Sequence, residues 1–392
     1  MLGAEPERPA TALAVGAGKV RDFGMESALR ARWKPAREIA VGGGLLAPAF
    51  VDAHTHPAFA ATRAAEFALK CQGRSYLEIA AAGGGIRSGV RAVQAASDGE
   101  LSERVAGHFT RMQRHGPLTC EAKSGYGLSV AGELKALRAI RAAARATGME
   151  ALPTFLGAHA VPESHEGRAD AYLDLLIEEA LPAVREAGLA RAVDIFIEQG
   201  AFDLAQARRY LECARELGFA LRVHADQFSA LGGVQLAVEL GAESVDHLEV
   251  LSDAGLEALA MSKRTFAGLL PAVPHFLGQS ADAPARKLIK AGVPYFIATD
   301  FNPGSCYTPS LPEAAHFARR RLGLSAAEAF HGVTAGAAAS LGLGARKGQI
   351  AAGMDADLIV LDLPDLEHFG YGLGENPVRA AFRGGVPLAL HS

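Results

Sequence analysis

Residues 48–56, PAFVDAHTH, decide the fold. A short apolar run centred on Phe50 and Val51 ends in two histidines separated by one threonine. Such a run, opened by proline and closed by polar residues, reads as a buried strand. On a strand, side chains two apart leave the same face, so His54 and His56 point together while Thr55 points away. Two imidazoles so placed suit a transition metal. The HxH pattern alone is common, and its weight comes from the polar residues spaced along the rest of the chain.

Seven further runs rich in β-branched and aromatic residues come after it, at 118–123, 151–158, 193–198, 219–224, 244–247, 264–270 and 294–300. Stretches of helical periodicity lie between them, at 133–146, 169–187, 204–217, 234–240 and 285–291. Several stop at a glycine suited to a left-handed cap, namely Gly188, Gly218, Gly241 and Gly292. The alternation points to βαβ units and a parallel sheet, and eight strands is the number that closes a barrel. An open doubly wound sheet shows the same alternation, but no GxGxxG follows the first strand. The expected architecture is therefore α/β, a (β/α)8 TIM-like barrel.

The flanks break this rhythm. Short β signals occur at 11–15 and near 38–41, the tail GQIAAGMDADLIVLD at 348–362 reads as two strands around a Gly-Met-Asp turn, and 378–388 reads as a hairpin around Gly384 and Gly385. Terminal β segments on either side of a barrel most simply pair with each other. They predict a small β-sandwich domain built from residues 1–45 and 345–392 around a barrel at 46–344.

The 392 residues hold 39 Lys+Arg against 43 Asp+Glu, a net charge of −4, which leaves no surplus to neutralise nucleic acid or an anionic membrane. Hydrophobic residues at 49% and charged residues at 21% describe a chain that folds. The longest uncharged apolar stretch, 39–51, contains three glycines and a proline and is shorter than the ~20 residues of a membrane span. The first residues lack a secretory signal's basic start. Cys71, Cys120, Cys213 and Cys306 form no CxxC pair and read as reduced packing residues. The expectation is a cytoplasmic protein acting on a small molecule, with no nucleic-acid or membrane partner.

His159 follows the third strand signal, His224 ends the fifth, His247 the sixth and Asp300 the eighth. In a βα barrel those C-terminal ends converge on the face where active sites are built. Three imidazoles and one carboxylate, from His54, His56, His224 and Asp300, would hold Zn2+ or Fe with a position left for water. Such an ion lowers the pKa of water toward ~7, which points to hydrolysis. A second metal would need a bridging ligand from the fourth strand, but that strand ends Ile197-Glu198-Gln199 and offers no lysine. One metal per chain is expected.

The pattern resembles the amidohydrolase superfamily and, within it, the imidazolonepropionase family. The resemblance is carried by VDAHTHPAFAATRAAEF from Val51, AGGGIRSGVRA from Ala82, EAKSGYGL from Glu121, TFLGAHAVPE from Thr154, VHADQFSALGGVQLA from Val223, DHLE from Asp246 and ATDFNPGS from Ala298. It implies a barrel of the metal-dependent hydrolase type, one Zn2+ or Fe3+ per chain, a homodimer, and hydrolysis of 4-imidazolone-5-propanoate to N-formimidoyl-L-glutamate. His54, His56, His224 and Asp300 match the family's ligands. Arg63 matches the arginine that holds the propionate carboxylate, a task suited to a planar, permanently charged fork. Tyr126 and His159 match substrate-contacting positions, as do Asn302, Gly304 and Ser305, and Tyr76 is a further candidate.

His247 matches a catalytic histidine that is not a ligand. Gln227 stands where some relatives carry Glu. An amide cannot serve as a base, so Gln227 is assigned to hydrogen-bonding the ring, leaving proton transfer to His247 and Asp300. Two features depart from the family pattern: Val273, Pro274 and His275 in the seventh strand's loop, and a short head. The alternative function is a mononuclear-metal deaminase of a purine or pyrimidine base, against which Arg63 argues, since a neutral base needs no carboxylate clamp.

Overall fold

The computed structural model describes residues 10–74, 78 and 84–390. The chain begins with an antiparallel hairpin, β1 (Ala12–Gly16) and β2 (Lys19–Gly24), and then β3 (Leu45–Pro48). Eight parallel strands follow: β4 (Phe50–Asp52), β5 (Pro117–Lys123), β6 (Glu150–Ala158), β7 (Ala192–Ile197), β8 (Ala220–Ala225), β9 (Ser244–His247), β10 (Phe266–Leu269) and β11 (Tyr295–Ile297). The tail adds β12 (Leu358–Leu361), β13 (Val378–Arg383) and β14 (Val386–Leu388).

Strands β4 to β11 pair in sequence order. β4 and β11 complete the circle beyond their regular ends. Asp300 N–H donates to the His54 carbonyl at 3.1 Å, and His56 N–H donates to the Phe301 carbonyl at 3.0 Å. The Thr299 hydroxyl and N–H reach the Asp52 carboxylate at 2.7 and 3.1 Å, joining positions 247 apart in sequence. The seam of the barrel therefore runs through the histidine pair itself.

Barrel strands are covered by side chains inside and by helices outside, which is why β5 is buried at every position. The helix Val130–Thr147 shows how the cover is made. Ala136, Leu137, Ile140 and Ala143 recur at helical spacing on its buried face, Ser129 caps it by accepting from Gly132 N–H, and it stops at Gly148 with φ of 71°. The expected single helix at 169–187 is interrupted: a π-turn, Leu176–Ala180, sits between Ala169–Leu175 and Leu181–Glu186. Pro182 has no N–H to give the preceding turn, and a widened turn accommodates that loss.

The terminal segments form a small sandwich. β3, β12, β13 and β14 make a four-stranded antiparallel sheet, and the β1–β2 hairpin packs on it through Val20, Ile350, Ala356, Leu358, Val360 and Phe382. The hairpin at 378–388 turns at Gly384 and Gly385, as its sequence predicts. Two expectations are corrected. Residues 38–41 form no strand, and β2 takes that place. The first half of the 348–362 tail is a turn whose backbone bonds to the hairpin, with Val20 N–H donating to Met354 O and Gly353 N–H to Val20 O. Among the described residues, no helix is long and apolar enough to cross a membrane.

Candidate active site

The four predicted donors meet at the C-terminal rim of the barrel. His56 Nε2 lies 3.2 Å from His54 Nε2, 3.3 Å from His224 Nε2 and 3.1 Å from Asp300 Oδ1, and all four side chains are buried. The imidazoles of His54, past the end of β4, and His224, on β8, are oriented from behind. His54 Nδ1 meets Asp246 Oδ2 at 2.7 Å, and His224 Nδ1 meets Asp194 Oδ1 at 3.0 Å. A carboxylate on Nδ1 fixes the tautomer that leaves the Nε2 lone pair facing inward, the arrangement that ligating histidines use.

The electrostatics call for a cation at this point. Burial pulls the His224 imidazole down to about 3 and the His56 imidazole well below its usual value, so both are neutral donors. Burial and Lys123 push His54 down too, but Asp246 and Asp300 outweigh them and lift it to about 9. A proton on His54 answers the negative charge of the two acids, and a metal ion answers the same need. With two further Nε2 atoms and a carboxylate oxygen all within 3.3 Å of His56 Nε2, the cluster is a donor set suited to a metal ion.

Beneath the donors lies a layer of buried charge. Lys123 Nζ, at the end of β5, donates to Glu121 at 2.8 Å and to Asp194 at 2.7 Å, all three side chains being shut off from solvent. Arg222 donates to the Ala53 carbonyl at 3.1 Å and approaches Asp246 at 3.9 Å. This layer holds the acids that hold the histidines.

The backbone is strained where it carries these groups. Asp226, His247, Leu248 and Asp300, all at or just past strand ends, have φ of 54°, 87°, 70° and 51°. Each such non-glycine residue costs ~1–3 kcal/mol and marks a site where position outweighs stability.

The remaining candidates surround the donors. The His247 ring lies 5.3 Å from the His224 ring, and its Nδ1 is 3.5 Å from Glu249. His159 stacks on His56 at 5.4 Å and bonds the Gly125 carbonyl through Nδ1 at 2.9 Å. Tyr126 is buried, 5.6 Å from His159 between ring centres. Gln227 is buried directly after β8. Asn302 Nδ2 donates to Asp300 Oδ2 at 2.9 Å, and its Oδ1 accepts from the N–H groups of Gly304 and Ser305 at 2.7 Å each. Ser305 Oγ also reaches Asp300 Oδ2, at 3.2 Å. Asn302 and Ser305 are thus turned toward Asp300. Arg63 binds Glu66 through Nε at 2.9 Å and Nη2 at 2.5 Å, and a Cβ on Gly304 would overlap its Nη1, so a larger residue there would push the guanidinium aside. Tyr76 lies outside the described residues.

The sequence profile of the amidohydrolase family matches residues 45–388. The imidazolonepropionase of Rubrobacter xylanophilus is 49% identical over 90% of this chain and 84% of its own length. That of Myxococcus xanthus is 44% identical over 96% of this chain and 90% of its own. The chain belongs to the amidohydrolase family, in its imidazolonepropionase branch. Among solved structures, 5-methylcytosine deaminase of Klebsiella pneumoniae superposes with a TM-score of 0.76 at 15% identity, over 98% of this chain and 96% of that one. An adenosine deaminase of Xanthomonas campestris with bound zinc gives 0.71 at 20%, over 96% and 87%. At such identities the likeness is one of fold.

Sequence reasoning missed several groups of this amidohydrolase's site. Glu133, on the helix Val130–Thr147, accepts from the N–H groups of Gly125, Gly127 and Leu128 at 2.9, 2.7 and 2.9 Å and so shapes the loop bearing Tyr126. Asp194, Asp246, Glu121 and Lys123 escaped it as well. Their signal was a charge inside an otherwise apolar strand, a placement that a barrel tolerates only when the charge is paired.

Proposed function

We propose that this amidohydrolase opens the cyclic amide of 4-imidazolone-5-propanoate with water, giving N-formimidoyl-L-glutamate in histidine degradation. The observation that carries this reading is Arg63, a largely buried cation packed against Gly304, four residues from Asp300 in the same loop. A fixed guanidinium at the edge of a hydrolytic centre has a purpose when the substrate carries a carboxylate. A neutral nucleobase gives it none.

In this reading His54, His56, His224 and Asp300 hold one Zn2+ or Fe3+ per chain. Bound there, the ion acts as a Lewis acid and acidifies water at neutral pH. Arg63 takes the propionate, and Tyr126, His159 and Gln227 flank the ring. His247 is placed to exchange a proton with the attacking water and to stabilise the oxygen on which charge develops. The proton taken from the attacking water is relayed to the departing ring nitrogen through His247 or through Asp300, whose Oδ2 is steadied by Asn302 and Ser305. The protein acts as a cytoplasmic homodimer on a free small molecule.

The test is to supply enzymatically generated imidazolonepropionate and weigh the product. N-formimidoyl-L-glutamate is expected; ammonia from a panel of nucleobases with imidazolonepropionate untouched would replace this reading with the deaminase one. Arg63→Ala is expected to cost about 2–5 kcal/mol in kcat/KM, as for one side of a desolvated charge pair. Unchanged kinetics would remove Arg63 from the clamp. Metal analysis of protein purified without chelators distinguishes zinc from iron.

A further inference from the structure

The helix Ala64–Cys71 wears its polarity inside out. Arg63, Glu66 and Lys70, spaced i, i+3 and i+7, are the half-buried positions of this segment, while Phe67 and Leu69 stand 44% and 39% exposed. A helix held by packing buries its apolar stripe and leaves its charges in water. Here the charged stripe faces the protein, while Phe67 keeps an apolar contact with the Phe276 ring, 5.0 Å between centres.

The stripe lies against the loop that follows β11. Lys70 Nζ donates to the Gly304 carbonyl at 2.9 Å, Arg63 Nη1 fills the space beside the Gly304 Cα, and the Phe276 ring lies 5.9 Å from the ammonium. Glu66 sits between the two cations and is itself pinned by Gly85 N–H at 3.0 Å and Ser88 Oγ at 2.8 Å. Burial and the nearby Arg63 lower the Lys70 ammonium below its ordinary value, with Glu66 returning part of the loss.

Two features of this cluster matter for recognition. Its charges do not cancel, since two cations face one carboxylate. The Nε–Nη2 edge of Arg63, the one that would grip a carboxylate with two parallel bonds, is already held by Glu66. Arg63 therefore offers a ligand only its remaining N–H groups. Lys70 has spent one of three donors on Gly304 and stands on the same stripe with charge to give.

We infer that Lys70 is a specificity-determining residue, which completes with Arg63 a two-cation pocket for one carboxylate arm and makes the site prefer an acid over its neutral amide. This rests on the carboxylate-clamp reading above. The simpler role for Lys70, fastening the Gly304 loop, would affect ligands whether or not they are charged.

The experiment uses metal-replete enzyme and two competitive probes, imidazole-4-propanoate and imidazole-4-propanamide, against the wild type, Lys70→Met, Lys70→Arg and Arg63→Met. Lys70→Met is expected to weaken the acid about tenfold, the scale of one charged hydrogen bond, and the amide by less than about twofold. KM for the substrate should rise while kcat moves far less, and Lys70→Arg should recover most of the acid preference. Equal weakening of both probes reduces Lys70 to a loop fastener and overturns the inference, as does an unchanged ratio in Lys70→Met when Arg63→Met collapses it. If neither variant alters the ratio, the clamp reading falls and the inference with it.

Discussion

Exchanging His224 for alanine is expected to leave the purified protein short of metal and to lower kcat/KM by about three orders of magnitude or more. His224 Nε2 is one of three imidazole nitrogens clustered within reach of a single ion, and Asp194 holds its ring in place. Elemental analysis alongside steady-state kinetics checks both halves of the expectation. Full metal content with wild-type rates would move the centre elsewhere. Asp194→Asn is the milder version: the ring keeps a partner but loses the charge that sharpens it, and metal affinity is expected to fall about 10–100-fold.

The second large effect lies one layer deeper. Lys123→Met is expected to destabilise the fold by about 3–5 kcal/mol in denaturant unfolding, because it leaves Glu121 and Asp194 buried without their shared cation. Burial alone would push the Asp194 carboxyl up, but His224 and Lys123 hold it well below its usual range, so it is ionised in the native protein. An uncompensated carboxylate there also pulls on His224. The variant should therefore lose metal affinity along with stability, whereas a loss confined to stability would show that the charge layer does not orient the donors.

The barrel was legible because its strands are buried on both faces and read as apolar runs, and because the polar residues at their C-terminal ends have no packing reason to be there. The span 48–56 announced the first strand and two candidate donors, which gained their weight from the polar residues at the other strand ends. The helix at 169–187 read as continuous since periodicity does not register the widened turn before Pro182. β2 escaped notice because KVRDFG buries only Val20 and shows no apolar alternation. Residues 38–41 misled in the opposite way: Ile39 and Val41 look like strand residues yet stand 42% and 37% exposed outside any strand. The charge layer under the site was invisible for a different reason. Lys123 and Asp194 are meaningful only as a pair, and nothing in a linear sequence says that positions 71 apart share a proton donor and acceptor.

The seam between β4 and β11 ties reaction and architecture into one junction. His54, His56 and Asp300 supply three of the proposed donors, and their own peptide groups lace the first barrel strand to the last. A cation gripping those side chains would also act as the clasp of the cylinder. Evolution or an engineer wishing to cut, permute or lengthen this chain has no freedom at that point, since any break there would undo the hoop and the chemistry together. New chain ends belong on the opposite rim, where the turns leading into the strands carry none of these groups.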